Sequence, residues 1–389
     1  MSYRKFRADH LFTGSQWLDD QHVLIATKQG KIEDIVPLTE AGDDVQSLEG
    51  ILSPAFINCH CHLELSHLKG LIPEKTGMID FLLGVMTKRI ISPEEVFQAI
   101  ADAEQSMLQN GIVAVGDICN TPLTVKKKQE GRMYYHNFIE SMGFVEAVAE
   151  KRFADSVKVF EYFASLSSMP IAYNSIVPHA PYSVSPKLFE LITHFPGNQL
   201  LTMHNQESTA EQEFFDKGTG DFRRLYESLQ IDISFFKAPG GSSLRHCVNH
   251  FLPNQSVILV HNAYTAEDDV LLLMEERYSK MKFFFCLCPN ANLYIGNKLP
   301  DVDMLRRLQL PLVIGTDSLA SNHQLSIVAE LKTLHEHFPH IPIYELLQWA
   351  TVNGARALDI DNYLGSFEKG RQPGIVLVGN DLESVKRLV

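Results

Sequence analysis

The sequence is poor in cysteine, with six among 389 residues. Secreted disulfide scaffolds are short and dense in cysteine, so this chain is not expected to be one. It also lacks a run of about 18 apolar residues, the length that indicates a transmembrane helix. The first ten residues are basic, but the apolar segment of a secretory signal does not follow them. We therefore expect a cytoplasmic protein.

An excess of positive charge is absent as well. Asp and Glu number 47 against 34 Lys and Arg, which gives a formal net charge of −13. Backbone-driven binding to nucleic acid and adhesion to anionic membranes both need a basic surface, so neither partner is expected. The basic run Lys126-Lys127-Lys128 is predicted to be a solvated loop. A small-molecule substrate is the expected partner, and a homo-oligomer is left open.

Short apolar runs alternate with longer helix-like stretches from residue 51 onward. Eight of these runs are predicted as strands, at residues 51–62, 112–119, 134–139, 171–178, 200–206, 257–262, 282–288 and 312–316. Eight strands that alternate with helices predict an α/β fold with a closed (β/α)8 TIM barrel over residues 51–358, with an open doubly wound sheet as the alternative. Residues 1–50 and 359–389 are β-like and predict a small second domain built from both chain ends. Glycine-rich dinucleotide and phosphate-binding motifs are missing after these strands.

Two histidines stand at the end of the first predicted strand, in Asn58-Cys59-His60-Cys61-His62. Residues i and i+2 of a strand point to the same face, so His60 and His62 can aim at one point. Two imidazoles at the carboxyl end of a barrel strand form half of a metal site. The alternatives are two packed histidines, or a zinc knuckle of Cys59 and Cys61, whose spacing is unusual for that motif.

Other predicted strands end in polar residues at the same edge. The fifth strand reaches His204, the sixth His261 and the eighth Asp317. Each residue alone is more often an ordinary polar side chain, but in a barrel all these strand ends converge on one face. The sequence therefore predicts a site for a divalent metal, Zn²⁺ first and Fe²⁺ as the alternative, because nitrogen and oxygen ligands suit both. The predicted ligands are His60, His62, His204 and Asp317.

One metal is favoured over two. Two-metal hydrolases of this architecture need a bridging group, which is often a carbamylated lysine on the fourth strand. That strand here ends in Val177-Pro178-His179-Ala180-Pro181, which contains no lysine.

The motifs resemble those of the amidohydrolase superfamily, and specifically its purine-type deaminase branch. That branch includes S-adenosylhomocysteine, methylthioadenosine and aminodeoxyfutalosine deaminases and related chlorohydrolases. The resemblance covers nearly the whole chain and implies that the two tails form a β-sandwich beside the barrel. The matching stretches are Pro54-Ala55-Phe56-Ile57-Asn58, His60-x-His62-Leu63-Glu64-Leu65, Pro178-His179-Ala180-Pro181-Tyr182-Ser183, His204-x-x-Glu207, Gly315-Thr316-Asp317-Ser318-Leu319-Ala320-Ser321-Asn322 and Thr351-x-Asn353-Gly354-Ala355-Arg356-Ala357.

Two stretches depart from the pattern of that branch. After Cys288-Pro289 its members often have Arg-Ser-Asn, whereas this chain has Asn290-Ala291-Asn292. This departure leaves the substrate open. The tail strand reads Gln372-Pro373-Gly374-Ile375 in place of a small residue and Asp, which concerns only the small domain.

The resemblance also implies roles for individual side chains. Asp317 would touch the metal and accept a proton from water, and Glu207 would protonate a ring nitrogen and then the leaving ammonia. His261 would hold the water and stabilise the developing charge. His179 would contact the substrate. Weaker expectations of substrate binding concern Glu64, Ser66, Asn322 and Arg89.

The predicted function is deamination of an adenine-type nucleoside by metal-bound hydroxide, with release of ammonia. Aminodeoxyfutalosine is the preferred substrate over adenosine and S-adenosylhomocysteine. The first alternative is hydrolysis of another C–N or C–Cl bond at the same site, as in a cyclic amide or a chlorotriazine-like substrate. The second is a non-catalytic barrel that serves as a scaffold, which the intact ligands, Glu207 and His261 disfavour. A nucleic-acid deaminase is disfavoured because its His-x-Glu and Pro-Cys-x-x-Cys signature is absent.

Overall fold

Apolar runs that are buried on both faces form the parallel strands. The computed structural model describes residues 3–88, 92–165 and 172–389. Every residue of Ile112–Cys119 is buried, and the same holds for Leu200–Asn205. Burial on both faces is typical of a parallel sheet that helices cover.

The described residues form the following elements. The strands are β1 (Tyr3–Arg7), β2 (His10–Phe12), β3 (Trp17–Asp19), β4 (His22–Thr27), β5 (Ile32–Pro37), β6 (Val45–Ser47), β7 (Ile51–Pro54), β8 (Phe56–Cys61), β9 (Ile112–Cys119), β10 (Tyr134–Ser141), β11 (Ala172–Pro178), β12 (Leu200–Asn205), β13 (Ser256–His261), β14 (Lys282–Leu287), β15 (Leu312–Ile314), β16 (Ile375–Val378) and β17 (Val385–Arg387). The α-helices are α1 (Met78–Thr87), α2 (Pro93–Gln109), α3 (Val125–Lys128), α4 (Ala149–Ala164), α5 (Pro186–Thr193), α6 (Thr209–Lys217), α7 (Asp221–Ser228), α8 (Ser243–Cys247), α9 (Glu267–Leu273), α10 (Pro289–Gly296), α11 (Val302–Arg307), α12 (Ile327–His337), α13 (Ile343–Gln348) and α14 (Gly354–Ala357). A 3-10 helix at Leu63–Leu68 follows β8.

The parallel strands form two four-stranded halves, in the order β11-β10-β9-β8 and β12-β13-β14-β15. At one junction the carbonyl oxygen of His60 accepts hydrogen bonds from the N–H groups of Thr316 (3.0 Å) and Asp317 (3.1 Å). At the other junction the carbonyl oxygen of His179 accepts one from the N–H of His204 (2.9 Å). The expected α/β architecture is therefore present. In the described part of the chain no continuous ladder joins the two halves, so full closure of the barrel stays a prediction.

The first predicted strand, residues 51–62, is in fact two strands. β7 pairs with β16 and β2 in a sheet made by the chain ends, whereas β8 pairs with β9. Ala55 separates them, and all residues of both strands are buried. The apolar run is unbroken because it passes directly from one sheet into the other. Hydropathy alone therefore gave no sign of the division.

Both chain ends contribute to two further sheets, in the order β5-β4-β1-β6 and β17-β16-β7-β2-β3. Their side chains share one buried cluster, which includes Phe6 and Leu24 of the first sheet and Leu11 and Leu52 of the second. The β-like character expected of both tails is thus seen. The assignment of these sheets to a separate β-sandwich domain bounded near residues 50 and 359 stays a prediction.

Local sequence signals determine the two ends of α2 clearly. Ser92 and Glu95 form a capping box at the start of α2, with Pro93 at its first position. The helix ends before Gly111, whose φ of +77° suits glycine.

Among the described residues, no helix combines the length and the apolar character that crossing a membrane requires.

Candidate metal centre and active site

A β-bulge in β8 delivers His60 and His62 to the carboxyl end of the parallel strands. The ladder with β9 pairs Asn58 with Val115 and resumes with Cys61 opposite Asp117. β8 thus advances three residues where β9 advances two. Such an extra residue bends a strand and re-aims its side chains. His60 lies within this irregular stretch.

Asp317 reaches the same place from the end of β15. Its φ of +56° lies in the left-handed region, which few residues with a side chain adopt. Its Oδ1 lies 3.5 Å from His60 Nε2 and 3.3 Å from His62 Nε2. Its Oδ2 accepts a hydrogen bond from the Ser321 hydroxyl at 2.6 Å. The carboxylate is therefore held with one oxygen toward the histidines.

The spacing of the predicted ligands fits a divalent metal. His62 Nε2 lies 3.2 Å from His60 Nε2 and 3.3 Å from His204 Nε2. One ligand atom from each of these histidines and from Asp317 lies within 4.8 Å of the others. Tetrahedral ligands about 2.1 Å from zinc are about 3.4 Å apart. The structure thus brings together the ligand set (His60, His62, His204 and Asp317) that the sequence predicted.

The protonation states of the ligand set also suit a metal. His204 Nδ1 lies 2.9 Å from the His179 carbonyl oxygen, so this nitrogen carries the proton and Nε2 keeps its lone pair. Burial lowers the pKa of His204 and of His60, which favours neutral imidazole. Burial raises the pKa of Asp317, but the hydrogen bond to His60 and the charges of the neighbouring histidines outweigh it and hold the pKa well below its usual range.

A second group of ligand atoms, from Glu140, His179 and His204, shares His204 with the first. Because His204 Nδ1 already donates to the His179 carbonyl, it has no lone pair to offer a second ion. This geometry favours a single metal.

Glu207 and His261 form a pair beside the ligand set. His261 Nε2 lies 3.4 Å from Glu207 Oε1, and both side chains are almost fully buried. The pKa of Glu207 is raised to about 7, chiefly by burial; His261 opposes this rise, and Asp317 and Glu211 add to it. A carboxylic acid with this pKa can both donate and accept a proton near neutral pH.

Asn292 fixes the orientation of His261. The Asn292 side-chain oxygen lies 2.8 Å from His261 Nδ1, and its amide group donates to the His261 carbonyl oxygen at 3.4 Å. His261 Nδ1 therefore donates to Asn292, which leaves Nε2 facing Glu207. The φ of His261 is +74°, so its backbone is held in the left-handed region as that of Asp317 is. Asn292 is the one residue of Asn290-Ala291-Asn292 that agrees with the Arg-Ser-Asn pattern, but its contact with His261 was not predicted.

A cavity of about 720 Å³ opens from the ligand set. Its inner end carries polar side chains, namely His62, His179, His204, Glu207, His261 and Asp317. Its outer wall is largely apolar and comes from α1, the segment after β10 and the end of α7, with Met78, Phe81, Val85, Phe144, Val145, Leu225 and Leu229. Pockets of this size and composition are typical of small-molecule sites.

Three of the weaker predicted residues lie beside the site but not on its wall. Glu64 Oε2 accepts hydrogen bonds from the backbone of Asn120 and Thr121 at 3.2 and 3.1 Å. Ser66 donates to the Leu63 carbonyl oxygen, and Asn322 to the carbonyl oxygen of Thr316. None of the three is among the residues that line the cavity in the described structure. Substrate binding by Glu64, Ser66 and Asn322 stays a prediction, and Arg89 lies outside the described residues.

The sequence reasoning missed Glu140, which lines the cavity with Asn120. The Asn120 amide donates to Glu140 Oε2 at 3.2 Å, and Glu140 Oε1 lies 3.6 Å from His204 Nδ1. Glu140 stands near the carboxyl end of β10, so the rule that identified the other strand ends would have found it. The predicted strand stopped one residue earlier, at 139.

The expectation that Lys126-Lys127-Lys128 forms a solvated loop is wrong: all three lysines belong to α3, and Lys128 does not face solvent. Its side chain is fully buried, and Nζ lies 2.5 Å from Asp117 Oδ2. A run of lysines has the same sequence pattern whether all of its side chains are exposed or one of them is buried and paired with a carboxylate. Lys128 is buried because Asp117, on the preceding strand β9, supplies that carboxylate.

Comparisons with known proteins identify relatives along nearly the whole chain. An adenosine deaminase of Helicobacter pylori is 27% identical over 376 residues, which are 93% of this chain and 88% of that protein. A 5-methylthioadenosine/S-adenosylhomocysteine deaminase of Thermoanaerobacter pseudethanolicus is 22% identical over 364 residues, 90% of this chain and 78% of the other.

Solved structures show the same fold. Helicobacter pylori aminofutalosine deaminase in complex with methylthio-coformycin has a TM-score of 0.81 at 23% identity, over 97% of this chain and 92% of that one. An adenosine deaminase from Xanthomonas campestris with bound zinc has a TM-score of 0.70 at 21% identity, over 98% and 85% of the two chains. The profile of the amidohydrolase family matches residues 51–387. The chain therefore belongs to the amidohydrolase family and is a hydrolase that acts on carbon–nitrogen bonds.

Proposed function

We propose that the chain is a mononuclear metal-dependent deaminase of an adenine-type nucleoside, with aminodeoxyfutalosine as the preferred substrate. One observation carries this proposal: a carboxylic acid with a pKa of about 7, Glu207, lies 3.4 Å from His261 beside the ligand set. Deamination of an aromatic ring needs both an activated water and a proton donor for the ring nitrogen. The relatives named as adenosine and 5-methylthioadenosine/S-adenosylhomocysteine deaminases support this substrate class.

In this mechanism the ligand set would hold a divalent metal, Zn²⁺ in the first instance. The ion would supply the Lewis acidity that makes water nucleophilic near neutral pH. Asp317 Oδ2 is held by Ser321, whereas Oδ1 faces the ligand histidines. Asp317 Oδ1 would therefore hold the metal, and the Asp317 carboxylate would also accept the proton of the attacking water.

Glu207 acts as the proton donor. It protonates the ring nitrogen beside the attacked carbon and becomes a carboxylate. This carboxylate takes the proton that Asp317 removed from the water and passes it to the amino group, which leaves as ammonia. The hydroxyl proton on the attacked carbon then returns to Glu207 as the product carbonyl forms. His261 presents Nε2 to the same space, because Asn292 holds its Nδ1. It hydrogen-bonds the nucleophile and stabilises the charge that develops on the attacked ring. His179, on the cavity wall, contacts the substrate.

A metal count combined with a substrate panel tests the proposal. The purified protein is analysed for zinc and iron, and ammonia release is followed with adenosine, S-adenosylhomocysteine, methylthioadenosine and aminodeoxyfutalosine. We expect about one metal per chain and the highest kcat/KM with aminodeoxyfutalosine. Faster turnover of another member of the panel would make that compound the assigned substrate, and the assignment of the reaction as deamination would stand.

Two other results would contradict the reaction itself. One metal per chain without ammonia release, but with chloride release from a chlorotriazine or opening of a cyclic amide, would assign the site to that chemistry. Failure to bind zinc or iron after reconstitution would favour a non-catalytic scaffold.

A further inference from the structure

Lys128 is a fully buried cation that the proposed mechanism does not use. It is the last residue of α3, and its side chain and that of Asp117 are both 0% exposed. A lysine is rarely buried unless it is paired. Its Nζ donates to Asp117 Oδ2 at 2.5 Å, to Asn137 Oδ1 at 2.6 Å and to Cys119 Sγ at 3.3 Å. These three acceptors match the three protons of the ammonium group.

Two aromatic rings complete the surroundings of this cation. Nζ lies 4.8 Å from the centre of the Tyr135 ring and 5.0 Å from that of Phe163. Burial lowers the pKa of Lys128, but Asp117 and Cys119 outweigh it, so the pKa is raised and the side chain stays charged. The structure thus places a buried ammonium group beside β9, and all three of its N–H groups donate hydrogen bonds.

The other carboxylate oxygen of Asp117 holds the backbone next to the ligand His62. Asp117 Oδ1 accepts a hydrogen bond from the N–H of Leu63 at 2.8 Å. Leu63 follows His62 directly, and Asp117 stands opposite Cys61 where the ladder resumes after the bulge. The bulge interrupts the ladder between Asn58 and Cys61, so the backbone near His60 has less support from β9 than a regular strand would give. The Asp117 side chain supplies a bond at the end of this stretch.

We propose that the Lys128–Asp117 ion pair is a positioning device for the metal centre, which fixes the chain on either side of His62 and thereby the distance between His60 and His62. Lys128 holds one oxygen of Asp117, and the other oxygen holds Leu63. Neither residue touches the substrate or the metal, so both are positioning residues. The inference rests on the proposed metal site.

A purely stabilising role is the rival explanation. Replacement of a buried ion pair by apolar or neutral residues of similar size is often neutral or favourable for stability, because two charges lose their hydration. A contribution to folding stability therefore does not by itself explain the presence of this ion pair. Outer contacts that orient metal ligands change metal affinity by about 10- to 100-fold when they are removed.

The test compares two ion pairs. Lys128→Met removes the buried cation, and Arg306→Met removes the cation of the Arg306–Glu345 pair, which joins α11 to α13 at 2.7 Å and bonds no member of the ligand set. Dissociation constants for Zn²⁺ are measured by chelator competition, and urea unfolding of the metal-free proteins measures stability. We expect Lys128→Met to bind Zn²⁺ about 10- to 100-fold more weakly than the unmodified protein, and Arg306→Met to bind it equally well.

A double variant decides the outcome if Lys128→Met does not fold. Lys128→Met with Asp117→Asn removes both buried charges and keeps the approximate shape. We expect at least about 10-fold weaker Zn²⁺ binding and an altered visible spectrum of the Co²⁺-loaded protein, which reports on ligand geometry. Unchanged Zn²⁺ affinity and an unchanged Co²⁺ spectrum in the folded variant would overturn the inference and leave the metal site intact. Absence of metal binding by the unmodified protein would instead contradict the proposed function, and the inference with it.

Discussion

The surroundings of Glu207 set the pKa of its carboxyl group. Glu207 stands three residues beyond the ligand His204, and its N–H donates to Glu211 Oε2 at 3.2 Å. Burial and two neighbouring carboxyl groups raise its pKa to about 7. In solvent the same side chain would be fully ionised at neutral pH and would be a poor proton donor.

Replacement of this one group gives the sharpest prediction at the residue scale. We expect Glu207→Gln to lower kcat about 100- to 10,000-fold, because it removes a proton donor and leaves the ligand set in place. Steady-state kinetics and metal analysis of the same sample check this. Glu213→Gln, on the exposed side of α6, is the control and should keep full activity. A fall in metal content that matches the fall in activity would show that Glu207 is a structural residue instead.

Sequence reasoning at this scale identified residues better than conformations. His60, His62, His204 and Asp317 were predicted from their positions at strand ends, and the structure brings their ligand atoms together. The left-handed φ of Asp317 and the contact with Ser321 were not predicted. Backbone strain of this kind is maintained by the surrounding structure rather than by local preference.

Close packing between β8 and the end of β15 explains Gly315, which stands two residues before the predicted ligand Asp317. A Cβ on Gly315 would lie 2.8 Å from His60 Cβ and 2.8 Å from Cys286 Sγ. These distances are shorter than real Cβ contacts, so a neighbour would have to move. Only glycine lets β15 approach closely enough for Asp317 to face His60.

At the scale of elements we therefore expect Gly315→Ala to displace His60. Overpacking of this kind costs about 1–3 kcal/mol of unfolding free energy. It should also weaken Zn²⁺ binding, which chelator competition measures. Gly296→Ala is the matched control, because a Cβ there meets nothing within 4 Å. Equal Zn²⁺ affinity of the two variants would show that the approach of β15 does not set the ligand geometry.

The strands were predicted more reliably than their partners. Seven of the eight predicted runs each contain a single parallel strand, whereas residues 51–62 hold β7 and β8 in different sheets. Alternation of apolar runs and helices is visible locally. The choice of neighbour depends on segments far away in sequence, such as β16 for β7.

A metal bound to the ligand set would couple the site to the stability of the whole molecule. The ligand set takes residues from β8 and the position after it, from β12 and from the segment after β15, so a bound ion would join both halves of the parallel strands. A ligand that binds only the folded state at 100 times its dissociation constant adds about 2.7 kcal/mol. Metal removal should therefore lower the thermal midpoint.

We expect a strong chelator to lower the melting temperature of the protein by several degrees, and Zn²⁺ to restore it. Differential scanning calorimetry measures both changes. His62→Ala should melt at the same temperature with and without chelator, whereas His194→Ala, on an exposed side chain, should respond as the unmodified protein does. An equal response of His62→Ala would place the stabilising metal elsewhere.

The sequence by itself predicted the α/β alternation and the ligand set from strand periodicity and from the position of polar residues at strand ends, both of which are local. The role of Glu207 as the candidate acid came from the resemblance to the amidohydrolase superfamily. The tertiary structure decided the pairing of His261 with Asn292, of Asp317 with Ser321 and of Lys128 with Asp117. The tertiary structure also decided that β7 pairs with β16 and β2 and not with the parallel strands. Such contacts arise only when the folded chain brings the partners together, because hydropathy shows that a side chain can be buried but not which group it meets there.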